Sequence, residues 1–282
     1  MKSGFAFVDK PLGITSHDVV NQVRRVVGTK KVGHAGTLDP FATGLLILGI
    51  NKATRLLGFL LGLDKSYRAT MRLGATTDTD DHTGSITAQT STSNLTETEI
   101  HQAFASHFGT RMQVPSAYSA KKIKGVKAYE LARSGINVSL DAKEVQIFSL
   151  QIQRIQAHLD VIDVEFEVRC SSGTYIRAIA RDIGEELGVG GHLRTLERTT
   201  IGDFALADAS SLNDLTLCPM LEICSKIMPT LEVDTDIFLS VQHGKELSLD
   251  ANEGVSALVF DNEVVAIIEN TQGIITYKAV LT

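Results

Sequence analysis

The stretch Gly33-His34-Ala35-Gly36-Thr37-Leu38-Asp39-Pro40-Phe41-Ala42-Thr43-Gly44-Leu45-Leu46 crowds three glycines and a proline around one carboxylate, just before an apolar run. Glycines let a backbone come close to a ligand, and Pro40 holds Asp39 extended rather than helical. The chemistry this allows is that of a single carboxylate held close to a ligand. An ordinary Asp-Pro turn between elements uses the same residue types, so the residues by themselves leave both readings open.

Other chemistries are excluded more firmly. Asp78-Thr79-Asp80-Asp81-His82-Thr83-Gly84 has the outline of a calcium loop, but His and Thr stand at its fifth and sixth positions and no Glu follows at the twelfth. Gly62-Leu63-Asp64-Lys65 lacks P-loop spacing, and neither HExxH nor GxSxG occurs. Cys170, Cys218 and Cys224 form no CxxC pair, so neither a disulfide framework nor a zinc ribbon is expected. No metal and no cofactor are expected.

The elements that must position Asp39 follow from patterning. Gly4–Asp9 reads as a strand stopped by Pro11. Thr15 and Asp18 form a capping box for a helix carrying Val19, Val20, Val23, Val26 and Val27, closed by Gly28. Leu45–Ile50 reads as a buried strand, Arg55–Leu61 as a short helix and Ser66–Leu73 as a half-buried strand. Thr96 and Glu99 open a helix reaching about Phe108. Val145–Ile155 and Val161–Arg169 alternate as an antiparallel pair. Ile176, Ile179, Ala180, Ile183 and Leu187 make one helical stripe, ended by Gly188. Pro219 and Pro229 bracket a less patterned stretch. Ile237–Ser240, Ala257–Phe260, Val264–Glu269 and Ile274–Tyr277 then read as short strands, with turns at Asp261-Asn262 and Gln272-Gly273. The expected class is α+β: a mixed, largely antiparallel sheet flanked by helices over residues 1–230, and a small all-β module over residues 231–282.

Charge refines the picture. The 282 residues carry a net charge of −6, which on its face argues against a nucleic-acid partner. Residues 1–135 hold 17 Lys+Arg and 10 Asp+Glu, whereas residues 203–282 hold 3 and 13. A basic front and an acidic tail allow a polyanion to be held by local field. The stretch MKSGFAFVDKPLG holds no long apolar run, so no signal peptide is expected, and the apolar stretch at Leu56–Leu63 is far shorter than a membrane span. A reduced, cytoplasmic protein without membrane contact is expected, monomeric by default.

Four stretches, in order and spacing, carry a family resemblance. They are Lys10-Pro11-Leu12-Gly13-Ile14-Thr15-Ser16, the Asp39 stretch, Lys65-Ser66-Tyr67-Arg68 and Ser172-Gly173-Thr174-Tyr175-Ile176-Arg177. Together they resemble the TruB-type tRNA pseudouridine synthases over about residues 4–205, and the tail resembles the PUA-like module that often ends such enzymes. The resemblance implies the pseudouridine-synthase fold and isomerisation of the uridine at position 55 in the tRNA T-loop, with no cofactor and no obligate protein partner. It makes Asp39 the catalytic carboxylate, attacking C1′ or C6 as a nucleophile or removing the 2′ proton as a base. It has Tyr67 stack on the extruded uracil, Arg177 pair with Asp39, Tyr175 pack beneath the pocket and Leu196 line it. It has His34 insert into the T-loop, Lys10 and Pro11 support the Asp39 loop, and Asp81 serve as a supporting or RNA-contacting carboxylate. Residues 113–135 become a mobile lid, in which Lys121 and Lys122 meet phosphates and Tyr118 offers a stacking face.

Three competitors remain at this level. A guide-RNA-dependent relative would need partners, and a non-catalytic RNA binder has no use for Asp39, Tyr67 and Arg177. A glycosidase would need a second carboxylate beside Asp39.

Overall fold

The computed structural model describes residues 2–116, 122–123, 126–127, 140–212 and 214–282. The chain forms two compact units. Met1–Pro40, Gly44–Gly62 and Asp203–Thr282 make the first, and Phe41–Thr43 with Leu63–Gly202 make the second.

The first unit begins with β1 (Gly4–Lys10), α1 (Ser16–Val27), β2 (Val32–His34) and β3 (Thr43–Ile50). The capping box forms as its residues require: Thr15 accepts from the Asp18 amide, and the Asp18 carboxylate accepts from the Thr15 amide at 2.9 Å. Gly28 ends α1 at φ 69°, in the left-handed region that favours glycine. Valine is a modest helix former, so packing decides: Val19, Val20 and Val23 join Ala6, Val8, Leu46, Leu48 and Ile50 in one buried cluster. β1 runs antiparallel to β3 from Gly4↔Ile50 to Lys10↔Gly44, and β2 pairs with β3 up to His34↔Leu48. A 3-10 turn over Asn51–Leu56 leads into α2 (Leu57–Leu61).

The second unit contains β4 (Lys65–Leu73), β5 (Ala75–Thr77), β6 (Ile86–Gln89), α3 (Glu97–Ser106) and β7 (Gly109–Gln113). The two-residue strands β8 (Lys122–Ile123) and β9 (Val126–Lys127) pair with each other. Then come β10 (Lys143–Ala157), β11 (Ile162–Cys170), α4 (Ile176–Glu186) and β12 (Gly191–Ile201). Within this unit the strands lie in the order β12-β4-β11-β10-β7, each pairing antiparallel. Alternation along β4 turns Lys65, Tyr67, Ala69, Met71 and Leu73 to the buried face. Phe104 of α3 meets Phe166 of β11 edge-on at 5.5 Å on that face. The opposite face carries cross-strand ion pairs, among them Arg72 with Asp163 at 2.8 Å. Gly184 lets α4 come down on the turn before β12, where an added Cβ would lie 2.2 Å from the Gly191 nitrogen.

The chain then returns to the first unit with β13 (Phe204–Ala205), α5 (Met220–Ile227), β14 (Thr230–Glu232) and α6 (Thr235–Gln242), followed by β15 (Gly254–Phe260), β16 (Glu263–Thr271) and β17 (Ile274–Val280). The last sheet is ordered β14-β15-β16-β17, with β14 parallel to β15 and the rest antiparallel. Two expectations are corrected. Ile237–Ser240 is helical, because Asp234 caps α6 by accepting from the Ile237 amide at 2.9 Å. With α6 inside residues 231–282, that module is not all-β, and the less patterned stretch between Pro219 and Pro229 forms the helix α5. The turns fall where their residue types place them, with Asp261 and Asn262 both at positive φ. The mixed, largely antiparallel α+β class holds. Among the described residues, no helix is long and apolar enough to cross a membrane.

Candidate active site

In the first unit, the Asp39 loop is held by the segment that precedes α1. The Ser16 hydroxyl accepts from the Leu38 amide at 2.8 Å and donates to the Leu38 carbonyl at 3.1 Å. The Lys10 ammonium is fully buried and donates to the carbonyls of Ile14 at 2.7 Å, Pro11 at 2.9 Å and Pro40 at 3.4 Å. The Gly13 amide also donates to the Pro40 carbonyl, at 2.8 Å. Both neighbours of Asp39 are therefore fixed through their backbones, while Asp39 itself stays half-buried. The Lys10–Ser16 stretch is in this sense a clamp for the second motif. Gly36 at φ 102° allows the turn that leads in. His34 ends β2, half-buried and opposite Leu48.

In the second unit, the chemistry gathers on the first turn of α4. Arg177 lies off the apolar stripe, yet it is buried. Its Nη1 donates to the Thr79 carbonyl at 2.7 Å and to the Ser116 hydroxyl at 3.3 Å, and lies 3.3 Å from Asp81 Oδ2. The other Asp81 oxygen accepts from the Thr83 amide at 2.9 Å, the Thr83 hydroxyl at 2.5 Å and the Thr79 hydroxyl at 2.9 Å. Only 3% of Asp81 is exposed, so its carboxylate is turned into the protein. The stretch with the outline of a calcium loop is thus an arginine-anchored turn. At its third position, Asp80 takes Arg181 at 3.3 Å, one helical turn beyond Arg177; burial raises the Asp80 pKa, and Arg181 opposes that shift. Among the described residues, no group of acidic, His or Cys side chains could hold a metal ion.

Tyr67 and Leu196 lie on neighbouring strands, each 8% exposed. Tyr67 is opposite Arg198 of β12, and Leu196 opposite Ala69 of β4. Arg198 is almost wholly buried and hydrogen-bonds to Tyr67. Burial lowers the Lys65 pKa to about 8, with the Arg198 charge adding to the shift. Tyr175 precedes α4, half-buried; its amide donates to Gln113 Oε1 at 2.8 Å, and its carbonyl accepts from Gln113 Nε2 at 3.1 Å. The structure thus brings Tyr67 together with Arg198, and Arg177 together with Asp81, inside the second unit. Asp39, Lys10 and His34 belong to the first. Tyr118 and Lys121 lie outside the described residues, as does most of the segment 113–135; Lys122 is described only as part of β8.

Sequence reasoning missed Ser16, Thr79, Ser116 and Arg198. For Arg198 the usable signal was alternation in β12, which turns Leu196 and Arg198 to one face. Nothing in the spacing marks Thr79 or Ser116, because they act through tertiary contacts.

Comparisons with known proteins place this geometry. A solved structure titled "Crystal Structure of a Cbf5-Nop10-Gar1 Complex" matches at a TM-score of 0.72 and 24% identity, over 99% of this chain and 85% of that one. A second, "Crystal structure of the archaeal box H/ACA sRNP Nop10-Cbf5 complex", matches at 0.71 and 23%, over 99% and 86%. These establish a shared fold. The family model "TruB family pseudouridylate synthase (N terminal domain)" matches residues 24–176, and "tRNA pseudouridylate synthase B C-terminal domain" matches residues 177–221. Fold and sequence together define an enzyme of the pseudouridine synthase class. Curated relatives narrow this. A protein named "tRNA pseudouridine synthase B" from Mycobacterium sp. (strain KMS) is 46% identical over 95% of this chain and 92% of its own length. Its namesake from Arthrobacter sp. (strain FB24) is 45% identical over 94% and 89%. The chain belongs to the TruB family.

Proposed function

We propose that this chain converts the uridine at position 55 of the tRNA T-loop to pseudouridine, acting alone in the cytoplasm, with Asp39 as the essential carboxylate. The observation that carries the reading is the clamp on Leu38 and Pro40. It immobilises the backbone on both sides of one aspartate and leaves the side chain half-buried, which suits a group that must meet a substrate. The names of the curated relatives support tRNA as the substrate.

The reaction breaks the uracil N1–C1′ bond, turns the base, and joins C5 to C1′. Asp39 attacks C1′ or C6, or removes the 2′ proton. Extruding the base from a folded loop costs a few kcal/mol, which stacking and hydrogen bonds in the pocket offset. Tyr67 supplies a stacking face and a proton acceptor for C5, Arg177 favours the ionised form of Asp39, and Leu196 lines the apolar side. His34 displaces stacked bases. Tyr118, Lys121 and Lys122 contact the T-arm, and Tyr175 packs beneath the pocket. Residues 1–230 do the chemistry, and the acidic residues 231–282 touch RNA sparingly.

The test uses the purified chain alone on an unmodified tRNA transcript, with the modified position mapped. Pseudouridine at position 55, and none in a transcript carrying cytidine there, is the expected result. Modification elsewhere overturns the site assignment. Activity only with added guide RNA and proteins favours the guide-dependent alternative.

A further inference from the structure

The buried Arg198 is unused by the reading above. Arg198 is the largest side chain among the fully buried residues, at 1% exposure. It stands directly opposite Tyr67 across the β12–β4 ladder, on the same face of the sheet. Taking a guanidinium out of water costs several kcal/mol. Burial pulls the Arg198 pKa down, while the hydrogen bond and charge interaction with Tyr67 act the other way. Where folding alone decides, an apolar residue serves a sheet interior better. The hydrogen bond also has a fixed direction. A guanidinium has five donors and no acceptor, so the Tyr67 oxygen must accept, and the phenol hydrogen turns elsewhere.

We propose that Arg198 is a positioning residue for catalysis, acting through Tyr67: it fixes the phenol and stabilises the phenolate that takes the proton from C5. This rests on the function proposed above. In that step the C5–C1′ bond has already formed. The C5–H bond breaks, its electron pair becomes the C5=C6 double bond, and the C6=N1 electrons move to N1, which takes a proton from solvent. The proton from C5 passes to the Tyr67 oxygen and is then released to water. Among the described residues of the unit, the register brings Arg198 of β12, Lys65 of β4 and Cys170 of β11 to this face of β4. Burial pushes the Cys170 thiol up to about 12, so it stays neutral throughout the working range.

The chain has five tyrosines, so tyrosine labelled with ¹³C at Cζ gives few resonances, and Tyr67→Phe assigns the one needed. Titrating the RNA-free wild type, Arg198→Lys and Arg198→Met reads the coupling directly. The Tyr67 midpoint should rise by about 1 pH unit in Arg198→Met, and by less in Arg198→Lys, which keeps the charge but loses the planar fork. In tRNA turnover, kcat should fall roughly 10²-fold in Arg198→Met with KM nearly unchanged, and the deficit should shrink as pH rises from 7 to 9. An unchanged Tyr67 midpoint overturns the proposal, as does a variant that raises KM and leaves kcat alone. If Arg198→Met does not fold, the midpoint in Arg198→Lys decides on its own. Because the titration needs no RNA, its failure is separate from a failure of the wild type to make pseudouridine, which would strike the parent reading instead.

Discussion

Asp39 and Asp81 are both aspartates in turns, and the protein treats them in opposite ways. Asp81 is sealed in, with one oxygen against Arg177 and the other saturated by Thr79 and Thr83. Its charge is spent inside the protein. The loop of Asp39 is held through the backbones of Leu38 and Pro40 by Ser16, Lys10 and Gly13, and the Asp39 side chain stays half-buried. Asp81 is bonded through its own oxygens and serves architecture, whereas the loop that carries Asp39 is held through the backbones of its neighbours. The same contrast separates the arginines. Arg177 is buried against Asp81, while Arg68 bridges Glu167 and Glu197 on the exposed face of the sheet, where such pairs are worth little.

The comparison can be broken from its strongest side first. Arg177→Met leaves Asp81 charged and buried, with the Thr79 carbonyl short of a donor. It should cost about 3–5 kcal/mol in urea unfolding at pH 7; a loss below about 1 kcal/mol would mean that the buried pair does not hold the turn. Asp81→Asn keeps the shape and removes the charge facing Arg177, and should cost about 2–3 kcal/mol by the same measurement. Ser16→Ala deletes two hydrogen bonds to Leu38 and should cost about 1–2 kcal/mol. It should also lower kcat for pseudouridine formation by more than it raises KM, since the loop that carries Asp39 loosens. Equal changes in both would remove the clamp from the account.

The smallest effect concerns pH. The Lys65 pKa lies near 8 in the folded protein, below its ordinary 10.5. Between those values the unfolded chain holds a proton that the folded chain lacks, so Lys65 contributes a rise in stability as pH climbs from about 8 to 10.5. Lys65→Met should flatten that part of the stability–pH curve. A curve of unchanged slope would show that Lys65 is not the source.

Much of this was legible where local chemistry acts alone. Thr15, Asp18 and Gly28 bound α1 by capping, and the alternation of residues 66–73 marked the half-buried strand that turns Tyr67 inward. The short run Ile237-Phe238-Leu239-Ser240 fits a strand and a helix equally, and Asp234, three residues before it, was the cap that decided. Arg177 was legible as a motif residue but not as a buried one. Helical periodicity places it beside the stripe, and only the turn at 79–81 and Ser116 close over it. The clamp on Asp39 escaped for a similar reason. Ser16 reads as the start of a helix, and nothing local shows that its hydroxyl crosses 22 positions to Leu38. The net charge of −6 misled as a whole-chain quantity, since the acidic excess sits mainly in residues 203–282.

The most direct test sets Asp39→Asn beside the wild type in two assays at once: pseudouridine formation on one unmodified tRNA transcript, and thermal unfolding. The account predicts tRNA affinity within about threefold, a shift in Tm of no more than about 2 °C, and turnover reduced by at least about 10³-fold. Retained turnover in a folded, tRNA-binding Asp39→Asn would contradict it.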